Sequence, residues 1–180
     1  DWFNGGGDSG GECGVPLHHR FTMPASYKSN GIFWYDFIFG NSHTIVLSNE
    51  HDCSPGSSQY EFLENALANV NREMQPWLVV EMHRPMYNNE KYLSDYNVAV
   101  GLQSEFEELL VKYDVDLVLA GHYHSYLRTG RIYKDKRDEV NGIYHFTIGS
   151  AGASLDDVDL YDKDWVEVFK KELGIGKITI

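Results

Sequence analysis

Residues 1–30 mix Gly, Ser and Pro with polar residues and hold no sustained period, which predicts an irregular loop. Aromatic and aliphatic residues crowd together over 32–39 and predict a strand, and a second follows at 44–47. Gly40-Asn41-Ser42-His43 between them reads as the turn of a β-hairpin. Beyond Pro55-Gly56, Ser58 and Glu61 have capping-box spacing for a helix whose inner face is Phe62, Leu63, Ala66, Leu67 and Val70. The period changes at Trp77-Leu78-Val79-Val80, a continuous apolar run suited to a strand buried on both faces. Helical spacing returns from about Val98 to Tyr113 through Leu102, Phe106, Leu109 and Leu110, and a second apolar run fills 115–120. Strand, helix and strand in that order make a βαβ unit with parallel strands and a right-handed crossover. Later strands around Arg131 and over 143–148 should pair antiparallel. The class is therefore α/β, with mixed strand directions.

No repeat or linker divides the chain, which reads as one domain or a piece of one, spanning residues 1–180. It opens on a glycine-rich loop and closes on Lys177-Ile178-Thr179-Ile180, a pattern from the middle of a strand, so both ends read as cut.

Composition changes the picture in few places. A hydrophobic fraction of 42% supports a packed core, and no apolar run is long enough to cross a bilayer, so no membrane partner is expected. A net charge of −12 argues against nucleic acid, which requires a basic surface. It does not exclude phosphate esters, because a bound metal ion reverses the local potential. The acidic clusters Glu105-Glu107-Glu108 and 156–164 read as solvated surface. Cys13 and Cys53 are compatible with one disulfide or with two buried thiols.

The chemistry gathers at the strand ends. Ligands of parallel sheets bind at the carboxyl edge, and here each buried run ends in histidine: Met82-His83 after the first, Gly121-His122-Tyr123-His124 after the second. Parallel strands bring both ends to one edge, so three imidazoles converge from positions about forty residues apart. Gly121 is the residue expected to free the backbone for the sharp turn. A single His at a strand end is commonly just a hydrogen-bonded polar residue; three at adjacent ends point to a metal such as zinc, iron or manganese. No Asp or Glu is evidently placed at that edge, and three His alone would make a mononuclear, zinc-like site.

Several segments, in order along almost the whole chain, resemble purple acid phosphatases. They are Asp8-Ser9-Gly10-Gly11-Glu12-Cys13-Gly14-Val15-Pro16, Ser48-Asn49-Glu50-His51-Asp52, Ser54-Pro55-Gly56 and Gln59-Tyr60. The series continues with His83-Arg84-Pro85-Met86-Tyr87, Gly121-His122-Tyr123-His124-Ser125-Tyr126 and Ile148-Gly149-Ser150-Ala151-Gly152. Gly-His-x-His alone is shared by many metallophosphoesterases; the set is far more specific.

The resemblance implies part of a four-layer α/β/β/α sandwich, the C-terminal part of a catalytic domain with mixed sheets. It also implies a secreted, vacuolar or lysosomal acid phosphatase acting on a small phosphate ester, for which a homodimer is compatible. Its cofactors would be iron(III) beside a divalent metal (zinc, manganese or iron). By similarity His83 and His122 would ligate the divalent ion and His124 the iron(III). The family's other ligands, two aspartates, a tyrosine and an asparagine, sit in upstream motifs that this chain does not contain, so a complete site would require an N-terminal half. Gly40-Asn41-Ser42-His43 only imitates one of those motifs. Tyr92 and Leu93 stand where some plant members carry a substrate-binding His pair. Arg84 and Tyr87 are candidate phosphate contacts and His51 a third candidate, although packing is the simpler role for Tyr87 and loop organisation for His51.

The implied reaction is hydrolysis of a phosphate monoester by a metal-activated water, with an acid from the absent upstream segment protonating the leaving oxygen. A calcineurin-like phosphodiesterase or pyrophosphatase is the nearer alternative, and a non-catalytic domain retaining the fold the more distant one.

Overall fold

A computed structural model describes residues 14–179, so Cys13 and the glycine-rich motif before it lie outside the described residues. The described elements run α1 (Val15–Arg20), β1 (Tyr35–Phe39), β2 (Ser42–Val46), α2 (Ser58–Ala68), β3 (Trp77–Met82), α3 (Leu93–Lys112), β4 (Leu117–Ala120), β5 (Tyr126–Tyr133), β6 (Lys136–Arg137), β7 (Ile143–Ile148) and β8 (Val166–Lys170). All strands join one sheet in the spatial order β1-β2-β3-β4-β7-β5-β6, with β8 on β5. β2, β3, β4 and β7 are parallel, while β1 and β5 pair antiparallel at the two sides. The α/β class, the mixed sheet, the hairpin and the parallel β3-α3-β4 unit are as the sequence predicts.

The hairpin turns on Gly40-Asn41, with Gly40 at φ 60°, in the left-handed region that tight turns require. The helix after it is capped one residue earlier than its spacing suggests. Ser57, not Ser58, is the N-cap, its hydroxyl accepting from the Tyr60 N–H at 3.2 Å. Glu61 is turned outward to Lys28 instead of closing a capping box.

Phe62 and Leu63 of α2 and Phe106 and Leu110 of α3 are fully buried in one cluster with Leu78, Val80 and Val118 of the sheet. The opposite face is more open. Trp77 at 46% and Tyr144 at 41% exposed lie on it, and Leu117 and Leu119 are only half-buried. The apolar runs at β3 and β4 are thus not covered on both sides, because the helices cover one face alone.

Candidate metal centre

β3 and β4 are in register at Met82↔Ala120, so the residues that follow them come out level. The Gly121 N–H donates to the His83 carbonyl at 3.0 Å, carrying the ladder one rung beyond the strands. β2 reaches the same edge, where two side-chain amides act as further rungs. Gln59 is buried and brackets Ser48, accepting from its N–H at 2.7 Å and donating to its carbonyl at 3.0 Å. Asn49 brackets Arg84 in the same way, at 3.1 and 2.6 Å. Glu50 and Arg84 therefore emerge beside His83.

The turn after β4 is made differently from the sequence expectation. His122 itself adopts φ 66°, whereas Gly121 has no positive φ. A left-handed conformation costs a residue with a Cβ about 1–2 kcal/mol, and such strain is concentrated at functional sites. The glycine that the loop requires is Gly149, after β7. A Cβ there would lie 1.9 Å from the Tyr123 carbonyl oxygen, so only glycine lets the two backbones approach.

This framework points His83 Nε2 and His122 Nδ1 at each other, 3.2 Å apart, with the rings at 82°. Two nitrogens bound to one ion at about 2.0–2.1 Å each stand roughly 3.0–3.4 Å apart. The outer nitrogen of His122, Nε2, lies 3.3 Å from Asp95 Oδ2. His124 faces differently. Its Nδ1 is 2.6 Å from the Ser154 carbonyl, and its backbone N–H donates to Asp156 Oδ2 at 2.7 Å. A carbonyl can only accept, so Nδ1 of His124 carries a proton, and Nε2 is the ring nitrogen left to meet an ion. Burial is the main cause that lowers the His83 pKa from its ordinary value, which favours the neutral form.

Neutral imidazoles with an outer nitrogen tied to a carboxylate or carbonyl are the arrangement transition metals bind. The residues thus fit such an ion, and the Gly-His-x-His pair offers lone pairs from two different ring positions. Among the described residues no group of three His, Cys, Asp or Glu side chains is set to hold an ion by itself. The described residues hold a facing imidazole pair and a third imidazole offset from it.

The edge is not devoid of carboxylates, contrary to the sequence expectation. Glu50, Asp95 and Asp156 all reach it, and sequence reasoning missed each. Glu50 could have been found, because it follows the end of the neighbouring parallel strand β2. Asp95 could not, because α3 starts at Leu93, five residues before its apolar period shows. Asp156 belongs to the cluster that reads as solvated surface, as does Glu107, which is 8% exposed in the interior.

Of the other candidates, Arg84 lies at the edge with both sides of its guanidinium engaged. Its Nε donates to Glu50 at 2.5 Å and its Nη1 to Asp95 Oδ1 at 2.9 Å. Tyr87 is 2% exposed, its hydroxyl donating to Glu107 and accepting from the Asp135 N–H at 3.1 Å. His51 places Nδ1 2.8 Å from the Ser48 hydroxyl and packs its ring against Phe33 and Trp34. The structure brings His83, His122, Arg84, Glu50 and Asp95 together, and leaves Tyr87 in the core.

The family pattern for calcineurin-like phosphoesterases matches residues 11–126, a span that includes His83, His122 and His124. The chain is 36% identical over 197 aligned positions to "Probable inactive purple acid phosphatase 24" of Arabidopsis thaliana, covering 99% of this chain and 32% of that protein. It is 32% identical to a "Nucleotide pyrophosphatase/phosphodiesterase" of Hordeum vulgare, covering 99% of this chain and 53% of that protein. Among solved structures, the purple acid phosphatase PPD1 from yellow lupin (Lupinus luteus) seeds superposes with a TM-score of 0.82 at 32% identity, over 96% of this chain and 32% of that one. The chain thus spans from about a third to about half of the length of these relatives. Its relatives include purple acid phosphatases, and the chain belongs to the calcineurin-like phosphoesterase family.

Proposed function

We propose that this protein hydrolyses phosphate esters, monoesters in preference, at a binuclear metal centre to which these residues contribute His83, His122 and His124. The observation that carries the reading is the 3.2 Å approach of His83 Nε2 and His122 Nδ1 at adjacent parallel strand ends. In this reading His83 and His122 hold the divalent ion (zinc, manganese or iron), and His124, presenting the other ring nitrogen, holds iron(III). When bound, such a metal pair makes a water acidic enough to serve as hydroxide and neutralises the phosphoryl oxygens. The chain's own residues bind and orient. The Ser154 carbonyl holds the outer proton of His124, and Arg84 offsets the charge of Glu50 and Asp95, so an anionic ester meets a less negative edge.

The remaining donors come, in this reading, from a further segment of the protein. Support lies in the fraction of its relatives that the chain spans. A second support is the half-open apolar face of the sheet, where Trp77 and Tyr144 await cover. A secreted or vacuolar setting belongs to the same proposal; no helix among the described residues is long and apolar enough to cross a membrane.

The test is turnover of p-nitrophenyl phosphate against bis-p-nitrophenyl phosphate by the complete, metal-loaded protein. Faster monoester turnover supports the proposal. Preference for the diester favours a phosphodiesterase, the activity printed in the name of the barley relative. No turnover of either favours a non-catalytic domain, in line with the "probable inactive" name of the Arabidopsis relative.

A further inference from the structure

Two hydrogen-bond chains are formally open to a neutral His122 ring. In one, Arg84 Nη1 donates to His122 Nε2 across 3.3 Å, and His122 Nδ1–H points at His83. In the other, His122 Nε2–H donates to Asp95 Oδ2, also at 3.3 Å, and His122 Nδ1 carries the lone pair. The first chain would set a carboxylate oxygen against a bare imidazole lone pair. The second leaves no such repulsion, because a carboxylate can only accept and an imidazole N–H can only donate.

We infer that Asp95, on the first turn of α3, is a positioning residue that fixes His122 as the Nε2–H tautomer and so presents its Nδ1 lone pair beside His83. The inference rests on the reading that His83 and His122 share one ion. Asp95 is itself fixed: Arg84 grips Oδ1 and is gripped in turn by Glu50 at 2.5 Å. The Asn49 amide locks the Arg84 backbone to the loop after β2. Residues from four segments (Glu50, Arg84, Asp95 and His122) thus form one relay from helix to ligand. The left-handed backbone at His122 turns the ring into that relay.

Outer carboxylates of this kind are worth roughly 10- to 100-fold in metal affinity. The experiment compares the complete protein with Asp95→Ala and Asp95→Asn. Long-range ¹H–¹⁵N NMR of metal-free samples reads the His122 tautomer, and calorimetry with Zn²⁺ reads affinity. The wild type should show Nε2–H alone. Asp95→Ala should show mixed tautomers and roughly 10- to 100-fold weaker zinc binding. Asp95→Asn should lie between, since its amide oxygen still accepts, and it serves if the Ala variant does not fold. An Nδ1–H tautomer in the wild type, or a tautomer and zinc affinity unchanged in both variants, overturns the role of Asp95. Failure of the shared-ion reading is seen separately: His83→Ala would then leave zinc affinity unchanged, while the tautomer measurement still decides on Asp95.

Discussion

Two polar clusters, built from similar residue types, lie at different depths along the sheet. Away from the edge, the buried Tyr87 and Glu107 meet the exposed turn at Lys134-Asp135: Tyr87 donates to Glu107 and accepts from the Asp135 N–H, Glu107 also accepts from the Lys134 N–H, and Asp135 accepts from Trp165 Nε1. His145 stands against the Tyr87 ring. At the carboxyl edge, Glu50, Arg84, Asp95, His122 and His83 form a chain that ends on two imidazole nitrogens facing one another. In the first cluster the Tyr87 and Glu107 oxygens are spent on each other and on backbone N–H groups, and His145 Nδ1, buried beside the Tyr87 ring, has no hydrogen-bond partner among the described residues. The second ends at the surface in an imidazole pair whose facing nitrogens share a single proton that an ion could replace. A histidine or tyrosine becomes a ligand through what its neighbours leave unsatisfied, more than through its identity.

The comparison breaks most visibly at the open cluster. His122→Ala in the complete protein should reduce ester turnover at least about 100-fold while leaving the thermal stability of the metal-free protein nearly unchanged. A loss of stability as large as the loss of turnover would make His122 part of a closed, structural cluster. The converse holds inside. Tyr87→Phe removes a donor from Glu107 and an acceptor from the Asp135 N–H, which should cost about 1–3 kcal/mol of stability with zinc affinity untouched. Weakened zinc binding would place Tyr87 in the site after all.

A smaller effect separates the two clusters by pH. Burial lowers His145 from 6.5 to about 3 in the folded state, so the unfolded chain takes up this proton first. The contribution is fully present above pH 6.5 and is lost as pH falls from there toward about 3. His145→Phe should flatten this part of the acid limb in urea titrations of metal-free protein between pH 6.5 and 5. An unchanged slope would contradict the buried, neutral assignment.

The sequence displays the parts of this arrangement that depend on period and position. The β3 and β4 runs are continuous and apolar, and the histidines follow them directly, so His83, His122 and His124 are legible before any coordinates. The supports are not. Asp95 lies in the first turn of α3, where no apolar period marks a helix. Glu107 and Asp156 sit in acidic runs, and only the fold separates the buried carboxylate from the solvated ones. The turn at His122 misleads in another way: Gly121 is the residue with conformational freedom, yet the neighbouring histidine bears the left-handed backbone, because strand pairing holds Gly121 to His83.

The central claim is that His83 and His122 are two ligands of one ion. Calorimetric titration of the complete protein with Zn²⁺, wild type against His83→Ala, tests it most directly. Loss of one of two facing donors should weaken binding at that site by 100-fold or more, on the order of the effect of removing supporting groups or beyond it. Equal affinity in the two proteins would contradict the account.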